Sequence, residues 1–248
     1  MVHYVLDPTR SAQVVVAALD GADHGIISCD RYSAYKKFVR TRPDFLLSWC
    51  WAHQRRDFLT LANAYPDLSS WAMDWVDAIG ELYWLNAQRL GVGESHHAWD
   101  VRHEALRHAV DDMARHLEAE LCNRTLREPA AKVMRSMRTH WSGLLVFVDH
   151  PSVPMDNNQA EQKMRPPVVG RKNFYGSGAP WSGQLAATLY SLLMTVRHWK
   201  INSRLWLCDY LNACAENGRH PPTDLDPFLP WAMTPTRLKT LRVGINSS

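Results

Sequence analysis

Several features that identify common protein classes are absent from this sequence. The five cysteines are odd in number, widely scattered and form no CxxC pair, so we expect reduced thiols and neither a disulfide framework nor a zinc ribbon. No uninterrupted apolar run approaches the ~20 residues that span a bilayer, and the first ten residues lack a charged leader followed by an apolar stretch. These absences predict a cytoplasmic protein without a membrane partner.

Two common catalytic motifs are also missing. The sequence has no GxSxG nucleophile elbow and no phosphate-cradling GxxxxGK, so neither a serine hydrolase nor a nucleotide hydrolase of that kind is supported. Cys50 and His53 have the spacing of half a zinc site, but no second Cys/His pair with suitable spacing accompanies them. We therefore expect Cys50 to be a buried strand residue and not a metal ligand.

The composition indicates a globular chain with a substantial core. The 248 residues are 46% hydrophobic, which is enough to fill one large domain or two small ones. The formal net charge is only +3, so total charge argues weakly for a polyanionic partner. The local distribution of charge must decide whether nucleic acid is a partner.

The first fifty residues predict an α/β unit. Residues 2–6 form a short β-compatible run, and Ser11 can cap a helix that continues through Leu19. Residues 25–30 resemble a short buried strand that ends in the carboxylate of Asp30, and residues 45–51 are another apolar run. Strand, helix and strand in this order favour an α/β arrangement.

The pattern becomes helical from about Arg55. Apolar residues recur at three- and four-residue steps in three segments, which predicts three amphipathic helices. These segments contain Trp71, Trp75 and Ile79; Val101, Leu106 and Val110; and Val133, Met137 and Trp141. The tryptophans of this part, at positions 71, 75, 84 and 99, are expected in the core.

The last hundred residues predict further helices and an irregular tail. After a proline-containing break, Asp156 can cap a helix that begins near Asn157. Helical periodicity returns over residues 182–199 and again over residues 204–215. The proline-rich residues 221–235 predict an extended wrap or a poorly ordered arm.

Acidic residues supply the first candidate site. Asp30 follows an apolar strand, from which a carboxylate can project off the sheet edge, and Asn157, Glu161 and Arg165 are spaced to share one helix face. Such a pair of carboxylates can hold magnesium for phosphoryl transfer. Spacing alone favours a simpler interpretation, in which Asp30 and Asp156 are caps and Glu161 pairs with Arg165 on a solvated face.

A longer pattern changes that balance. Six short stretches occur in one order, and together they resemble the bacterial insertion-sequence transposases of family sixty-six. The stretches are DRYSAY at 30–35, CWAHQRRDF at 50–58, DNNQAE at 156–161, RP at 165–166, GRKN at 170–173 and AATLYSL at 186–192. The resemblance extends from about residue 3 to residue 218.

The resemblance implies a fold and a catalytic site. It implies an α/β ribonuclease-H-like transposase core with an Asp, Asp, Glu triad, in which Asp30 takes the second acidic place and Glu161 the third. Both would bind Mg²⁺ or Mn²⁺. The implied organisation is a partial core at 1–54, a large helical insertion at 55–150, the rest of the core with its acidic helix at 151–218, and a proline-rich tail at 219–248.

Two departures from the family pattern matter. Gln162 stands where the family usually has arginine directly after the last glutamate. The first acidic residue of the family lies on an earlier strand, so the resemblance implies an N-terminally truncated core here, with Asp7 a poor substitute. Because a two-metal site loses ligands and charge without that carboxylate, at a cost of roughly 100-fold or more in rate, we expect this chain alone to be weakly active or inactive.

Basic residues near the acidic motifs are candidates for DNA contact, since cations neutralise phosphates. They are Arg55, Arg56, Lys163, Arg165, Arg171 and Lys172. A solvated loop is the alternative for the last two. Phe174 or Tyr175 could stack on an unpaired base, although a core position is favoured for both. Next to the acids, the resemblance places Asn157, Asn158 and His53.

Taken together, these features predict a fragment of a DDE-type DNA transposase. Its expected partners are insertion-sequence ends, target DNA and further copies of the chain in a synaptic complex. A different class is the alternative: a non-catalytic remnant that binds DNA or interferes with assembly. Both predict salt-sensitive DNA binding, but only the first predicts metal-dependent nicking.

Overall fold

The computed structural model describes residues 1–173 and 176–242. The described residues are mostly helical and contain one small sheet. The strands are β1 (Gly25–Cys29) and β2 (Phe45–Trp49), and the helices are α1 (Ala12–Ala18), α2 (Ser33–Thr41), α3 (Trp51–Ala64), α4 (Ser69–Val92), α5 (Trp99–Cys122), α6 (Glu128–Leu144), α7 (Val146–Asp149), α8 (Asn158–Asn173), α9 (Pro180–His198), α10 (Ser203–Glu216) and α11 (Pro235–Leu241).

The chain forms two compact units. The first, called here the sheet unit, comprises residues 9–160, and the second, the helical unit, comprises residues 1–8 and 161–248. Each is described by itself. The domain boundaries inferred from the sequence stay predictions.

The sheet of the sheet unit is parallel, the pairing expected when a helix connects two neighbouring strands. Gly25 is in register with Phe45 and Cys29 with Trp49, and α2 forms the crossover between the strands. Both predicted strands are confirmed, but the second ends at Trp49, because α3 begins at Trp51, four residues before the predicted onset at Arg55. The parallel pairing places the carboxyl ends of both strands at one edge.

Helix α6 packs closely on β2 through a glycine. A Cβ at Gly143 would lie 2.3 Å from Cδ1 of Trp49 and 2.7 Å from the carbonyl oxygen of Leu47. Because real Cβ atoms do not approach other atoms so closely, only glycine allows the helix backbone to lie at this distance from the strand. A helix of the predicted insertion is therefore part of the packing around the sheet.

The predicted amphipathic helices are confirmed as α4, α5 and α6, and with α3 they enclose the main core. Phe58 and Trp75 are 0% and 2% exposed, and their rings stack with centroids 5.6 Å apart. Trp84 is 61% exposed, so the expectation of a core position is wrong for that residue.

A buried arginine fixes the chain just before the acidic motif. Arg89, on α4, is 0% exposed and donates hydrogen bonds of 2.8 Å to the carbonyls of Phe147 and Val148. It also donates to the side-chain oxygen of Asn86 at 2.7 Å. These carbonyls lie in the short helix α7, so Arg89 satisfies acceptors that would otherwise be buried without donors.

Two sequence predictions are wrong in the helical unit. Residues 2–6 form no strand; instead the amides of Val2 and Tyr4 donate to hydroxyls of Thr195 and Ser191 on α9, at 2.9 and 2.8 Å. A β-compatible run therefore finds its hydrogen-bond partners on side chains rather than on a neighbouring strand.

The proline-rich tail is folded, not an extended or poorly ordered arm. Phe228 and Met233 are buried in a small core with Trp206, whose indole N–H donates to the carbonyl of Phe228 at 2.9 Å. The tail then continues into α11, which starts at Pro235 and is capped by Thr234.

Candidate functional site: the carboxyl edge of the sheet

Asp30 lies directly after β1, at the carboxyl edge of the sheet. It is half-buried, and its Oδ1 accepts a hydrogen bond of 3.0 Å from the amide of Tyr32. This local turn holds the carboxylate close to its own backbone. The position agrees with the sequence prediction of a carboxylate that follows a buried strand.

Two groups near Asp30, the thiol of Cys29 and the phenol of Tyr35, have raised pKa values. Burial, together with the neighbouring Asp30 carboxylate, raises the pKa of the Cys29 thiol to about 12. Burial, and then the nearby Cys29 and Asp30, also raise the pKa of Tyr35. Both groups therefore stay protonated near neutral pH and add no negative charge beside Asp30.

The segment around Asp156 is tied to the same edge of the sheet. The amide of Trp51 donates to the carbonyl of Met155 at 2.9 Å, and the amide of Cys50 donates to the carbonyl of Cys29 at 3.2 Å. The amide of Asn157 in turn lies 3.5 Å from Sγ of Cys50. Cys50 is buried as expected, although it follows the strand rather than lying within it.

Each carboxylate oxygen of Asp156 accepts a hydrogen bond. Its Oδ1 accepts from the amide of Asn158 at 3.0 Å, and its Oδ2 accepts from the hydroxyl of Tyr83 at 3.1 Å. Burial and then the nearby Asp156 carboxylate raise the pKa of Tyr83 far above its ordinary value, so the phenol remains a donor. The helix predicted to begin near Asn157 begins at Asn158, so Asp156 lies two residues before α8 and its Oδ1 binds the amide of the first helical residue.

Asn157 lies just before α8, not on it. The predicted helix face shared by Asn157, Glu161 and Arg165 therefore includes only the last two. Within the described part of the chain, Oδ1 of Asn157 is a buried oxygen without a hydrogen-bond donor. A buried acceptor of this kind is uncommon in folded proteins.

A cavity of about 540 Å³ opens beside this segment. Its lining consists of Ala52, Arg55, Arg56, Leu59, Gly80, Tyr83, Asp156 and Asn158. Arg55 and Arg56 are exposed, so their guanidinium groups are accessible to an anionic ligand. The backbone carbonyl of His53, on the same helix, accepts from Arg31 at 3.5 Å.

The helical unit holds the remaining predicted residues. Glu161 lies in the first turn of α8, where a carboxylate complements the positive end of the helix dipole. Arg171 and Lys172 lie in its last turn and are exposed, so they belong to a helix and not to a loop. Arg165 is exposed as well, and the carbonyl of Lys163 accepts from the hydroxyl of Tyr4.

Three further predictions concern base stacking, metal binding and membranes. Phe174 and Tyr175, the proposed stacking residues, lie outside them. Within residues 1–173 and 176–242, no group of three or more His, Cys, Asp and Glu side chains could hold a metal ion. In the same ranges, no helix has both the length and the apolarity needed to cross a membrane.

Comparison with known proteins assigns the sequence to a family. The sequence profile described as "Transposase IS66 family" matches residues 1–185, most of the chain. The chain belongs to the IS66 transposase family. This confirms the resemblance found in the six short motifs.

Relatives of this IS66 chain include two uncharacterized proteins of Sinorhizobium fredii. The protein y4jD is 26% identical over 239 residues, which cover 93% of this chain and 45% of y4jD. The protein y4hP is 26% identical over 220 residues, which cover 84% of this chain and 39% of y4hP. The chain thus spans less than half the length of these relatives. No solved structure matches it.

The sequence pattern does not identify two residues that contact the candidate site. Helical spacing assigns either Leu82 or Tyr83 to the core face of α4, and it does not predict that the hydroxyl of Tyr83 donates to Asp156. The sequence shows Arg31 only as part of the DRYSAY motif, yet its side chain binds residues of two other helices. The partners are separated by tens of residues along the chain, so no local pattern connects them.

Proposed function

We propose that this chain is part of a DDE-type DNA transposase that carries out metal-dependent cleavage and strand transfer of insertion-sequence DNA. Family membership supports the transposase class. The observation that carries the proposal is the carboxylate of Asp30 at the carboxyl end of β1, at the edge to which the Asp156–Asn158 segment is also tied. Ligand sites of α/β proteins commonly lie at such strand ends.

The proposed fold is a ribonuclease-H-like core with a large helical insertion. The parallel strands β1 and β2 with their crossover helix α2 support the α/β part of this proposal. The long helices α4, α5 and α6 correspond to the proposed insertion.

The proposed ligands of Mg²⁺ or Mn²⁺ are the carboxylates of Asp30 and Glu161. Hard oxygen donors suit these ions, and the buried Oδ1 of Asn157, which has no donor among the described residues, is a further oxygen on the segment tied to the strand end that carries Asp30. When bound, divalent ions activate the attacking oxygen and stabilise the leaving one. The turn at Tyr32 orients Asp30 for this task, and Tyr83 keeps the neighbouring Asp156 carboxylate in place.

DNA is the proposed partner of the exposed basic residues. Arg55 and Arg56 border the cavity beside Asp156, where they would hold backbone phosphates. On α8, Lys163, Arg165, Arg171 and Lys172 would add further contacts. Insertion-sequence ends, target DNA and self-association in a synaptic complex complete the proposed set of partners.

The catalytic part of the proposal is tested by nicking of supercoiled plasmid in Mn²⁺ by the purified chain. We expect weak activity or none, because only two carboxylate ligands, Asp30 and Glu161, are proposed among these residues. Any metal-dependent nicking should disappear in Asp30→Asn and Glu161→Gln and persist in Asp67→Asn, whose carboxylate pairs with Arg127. Efficient strand transfer by the unmodified chain would contradict the expected inactivity. Nicking that survives both substitutions would contradict the proposed ligands.

The DNA-binding part is tested by the salt dependence of affinity for a labelled duplex. Replacing Arg171 and Lys172 by glutamine should reduce the slope of log K against log [salt] by about 0.9 for each phosphate that the variant no longer neutralises. Replacement of Arg55 and Arg56 should act similarly. Arg115 and Arg124 are also exposed, and their double glutamine variant provides a charge-matched control. A slope that both pairs leave unchanged would count against the assignment. Salt-sensitive binding without nicking would support the non-catalytic alternative.

A further inference from the structure

The side chain of Arg31 joins three elements of the sheet unit. It follows Asp30 directly, and its Nη2 forms an ion pair of 2.6 Å with Asp57 on α3. Its Nη1 donates to Gln54 on the same helix at 3.3 Å and to Ser136 on α6 at 3.0 Å. Nη2 also contacts the carbonyl of His53 at 3.5 Å. Both terminal nitrogens of the guanidinium are therefore occupied by protein acceptors.

A second contact joins the same segment to α6. Lys36, on α2, lies 2.6 Å from Nε2 of His140, while Nδ1 of His140 lies 2.7 Å from the carbonyl of Ser136. Since the carbonyl must accept, Nδ1 carries the proton and neutral Nε2 accepts from Lys36. Ser136 and His140 are one helical turn apart, so one face of α6 contacts the segment that follows Asp30 twice.

These contacts place Asp30 between two fixed points. On one side its backbone continues from β1, which is hydrogen-bonded to β2. On the other side Arg31 is held by α3 and α6. The hydrogen bond from the amide of Tyr32 to Oδ1 of Asp30 closes a turn that includes Arg31.

We propose that Arg31 is a positioning residue that holds the Asp30 carboxylate for a divalent cation, through Asp57 of α3 and Ser136 of α6. This inference rests on the proposed function, in which Asp30 is a metal ligand. It also separates Arg31 from Arg55 and Arg56: those arginines are exposed and face a cavity, whereas Arg31 uses its donors on the protein. Arg31 therefore acts on metal affinity and not on phosphate contact.

The test is Mn²⁺ binding to the purified chain, measured by the electron paramagnetic resonance of the free ion. Arg31→Lys keeps the charge but loses the two-pronged geometry, so we expect Mn²⁺ affinity to fall by about tenfold, as for other residues that orient metal ligands. Ser136→Ala should cause a smaller loss, and Asp30→Asn should remove the site. Arg127→Lys is the matched control, because Arg127 also pairs with a carboxylate and lies over the ring of Tyr65. The salt slope of DNA binding should not change in Arg31→Lys.

Two measurements separate failure of this inference from failure of the proposed function. If Asp30→Asn reduces Mn²⁺ binding but Arg31→Lys binds as tightly as Arg127→Lys, Arg31 is not a positioning residue. If the unmodified chain binds no Mn²⁺, or Asp30→Asn has no effect, the metal assignment fails. Positioning is then measured by amide exchange at Tyr32, which should be faster in Arg31→Lys than in Arg127→Lys; equal exchange overturns the inference.

Discussion

The two units differ in how they hold their chemistry-bearing residues. In the sheet unit, α3 to α6 enclose large aromatic side chains such as Trp51, Phe58 and Trp75, and Asp30 lies at the edge of a hydrogen-bonded strand. In the helical unit, the described core is small and centres on Trp206 and Phe228, and α8, which carries Glu161, contains no fully buried residue.

This difference bears on how each proposed metal ligand is oriented. Asp30 is held by the turn at Tyr32, by the adjacent strand and by the contacts of Arg31 with Asp57 and Ser136. Glu161 is half-buried on a helix whose side chains are all at least partly exposed. Sites built on well-packed elements hold their geometry better. We therefore expect substitutions around Asp30 to change geometry, and substitutions along α8 to change mainly charge.

The largest expected effect comes from replacing one buried phenylalanine by alanine in each unit. Phe58→Ala should cost about 3–5 kcal/mol of unfolding free energy, because the ring is fully buried and its removal leaves a cavity. Phe228→Ala should cost no more than about 3 kcal/mol, since this ring is 8% exposed in a smaller core. Urea denaturation, monitored by amide hydrogen exchange in each unit, gives both changes in unfolding free energy. Equal costs would remove the contrast between the two cores.

A smaller effect is expected where α6 contacts the sheet. Gly143→Ala should destabilise the chain by about 1–3 kcal/mol, because the new methyl group meets the ring of Trp49 and the backbone oxygen of Leu47. Gly80→Ala on α4 is the control, since a Cβ there meets nothing within 4 Å; it should stabilise its helix by about 0.5–1 kcal/mol. Thermal unfolding of both variants measures these changes in stability. A Gly143→Ala variant that is as stable as the original chain would show that α6 does not pack as described.

The smallest effect concerns pH. Burial first, and then the Lys36 and Arg31 cations, lower the pKa of His140, against the opposing influence of Asp57 and of its hydrogen bond to Ser136. The unfolded chain, with a His pKa of about 6.5, therefore takes up this proton before the folded chain as the pH falls. The stability contribution is full above about pH 6.5 and is lost below it.

His140→Gln isolates this contribution, because glutamine can still accept from Lys36 but does not titrate. Between pH 7.5 and pH 5 we expect the original chain to lose more unfolding free energy than the variant, as measured by urea denaturation at each pH. Identical pH dependence of the two chains would show that His140 does not contribute. His103, whose pKa is also lowered by burial and nearby arginines, is present in both chains and cancels.

Much of the secondary structure was predictable because its signals are local. Ser11 directly precedes α1 as predicted, although its side chain forms no capping hydrogen bond, and Oδ1 of Asp156 binds the amide of the first residue of α8. Helical spacing identified α4, α5, α6, α9 and α10. The errors have local causes too. Residues 2–6 have strand propensity but bind the hydroxyls of a helix, and the prolines of the tail begin short helices instead of keeping the chain extended.

The sequence by itself determined the family and the position of Asp30 after its strand, because both depend on residues that are close together in the chain. The ligand role of Asp30 stays a prediction. Only the tertiary structure showed that Tyr83 binds Asp156, that Arg31 joins Asp57 and Ser136, and that Gly143 lets α6 approach β2. These contacts join residues far apart in sequence, and they form only when packing brings complementary donors, acceptors and surfaces together, which no periodicity or capping signal encodes.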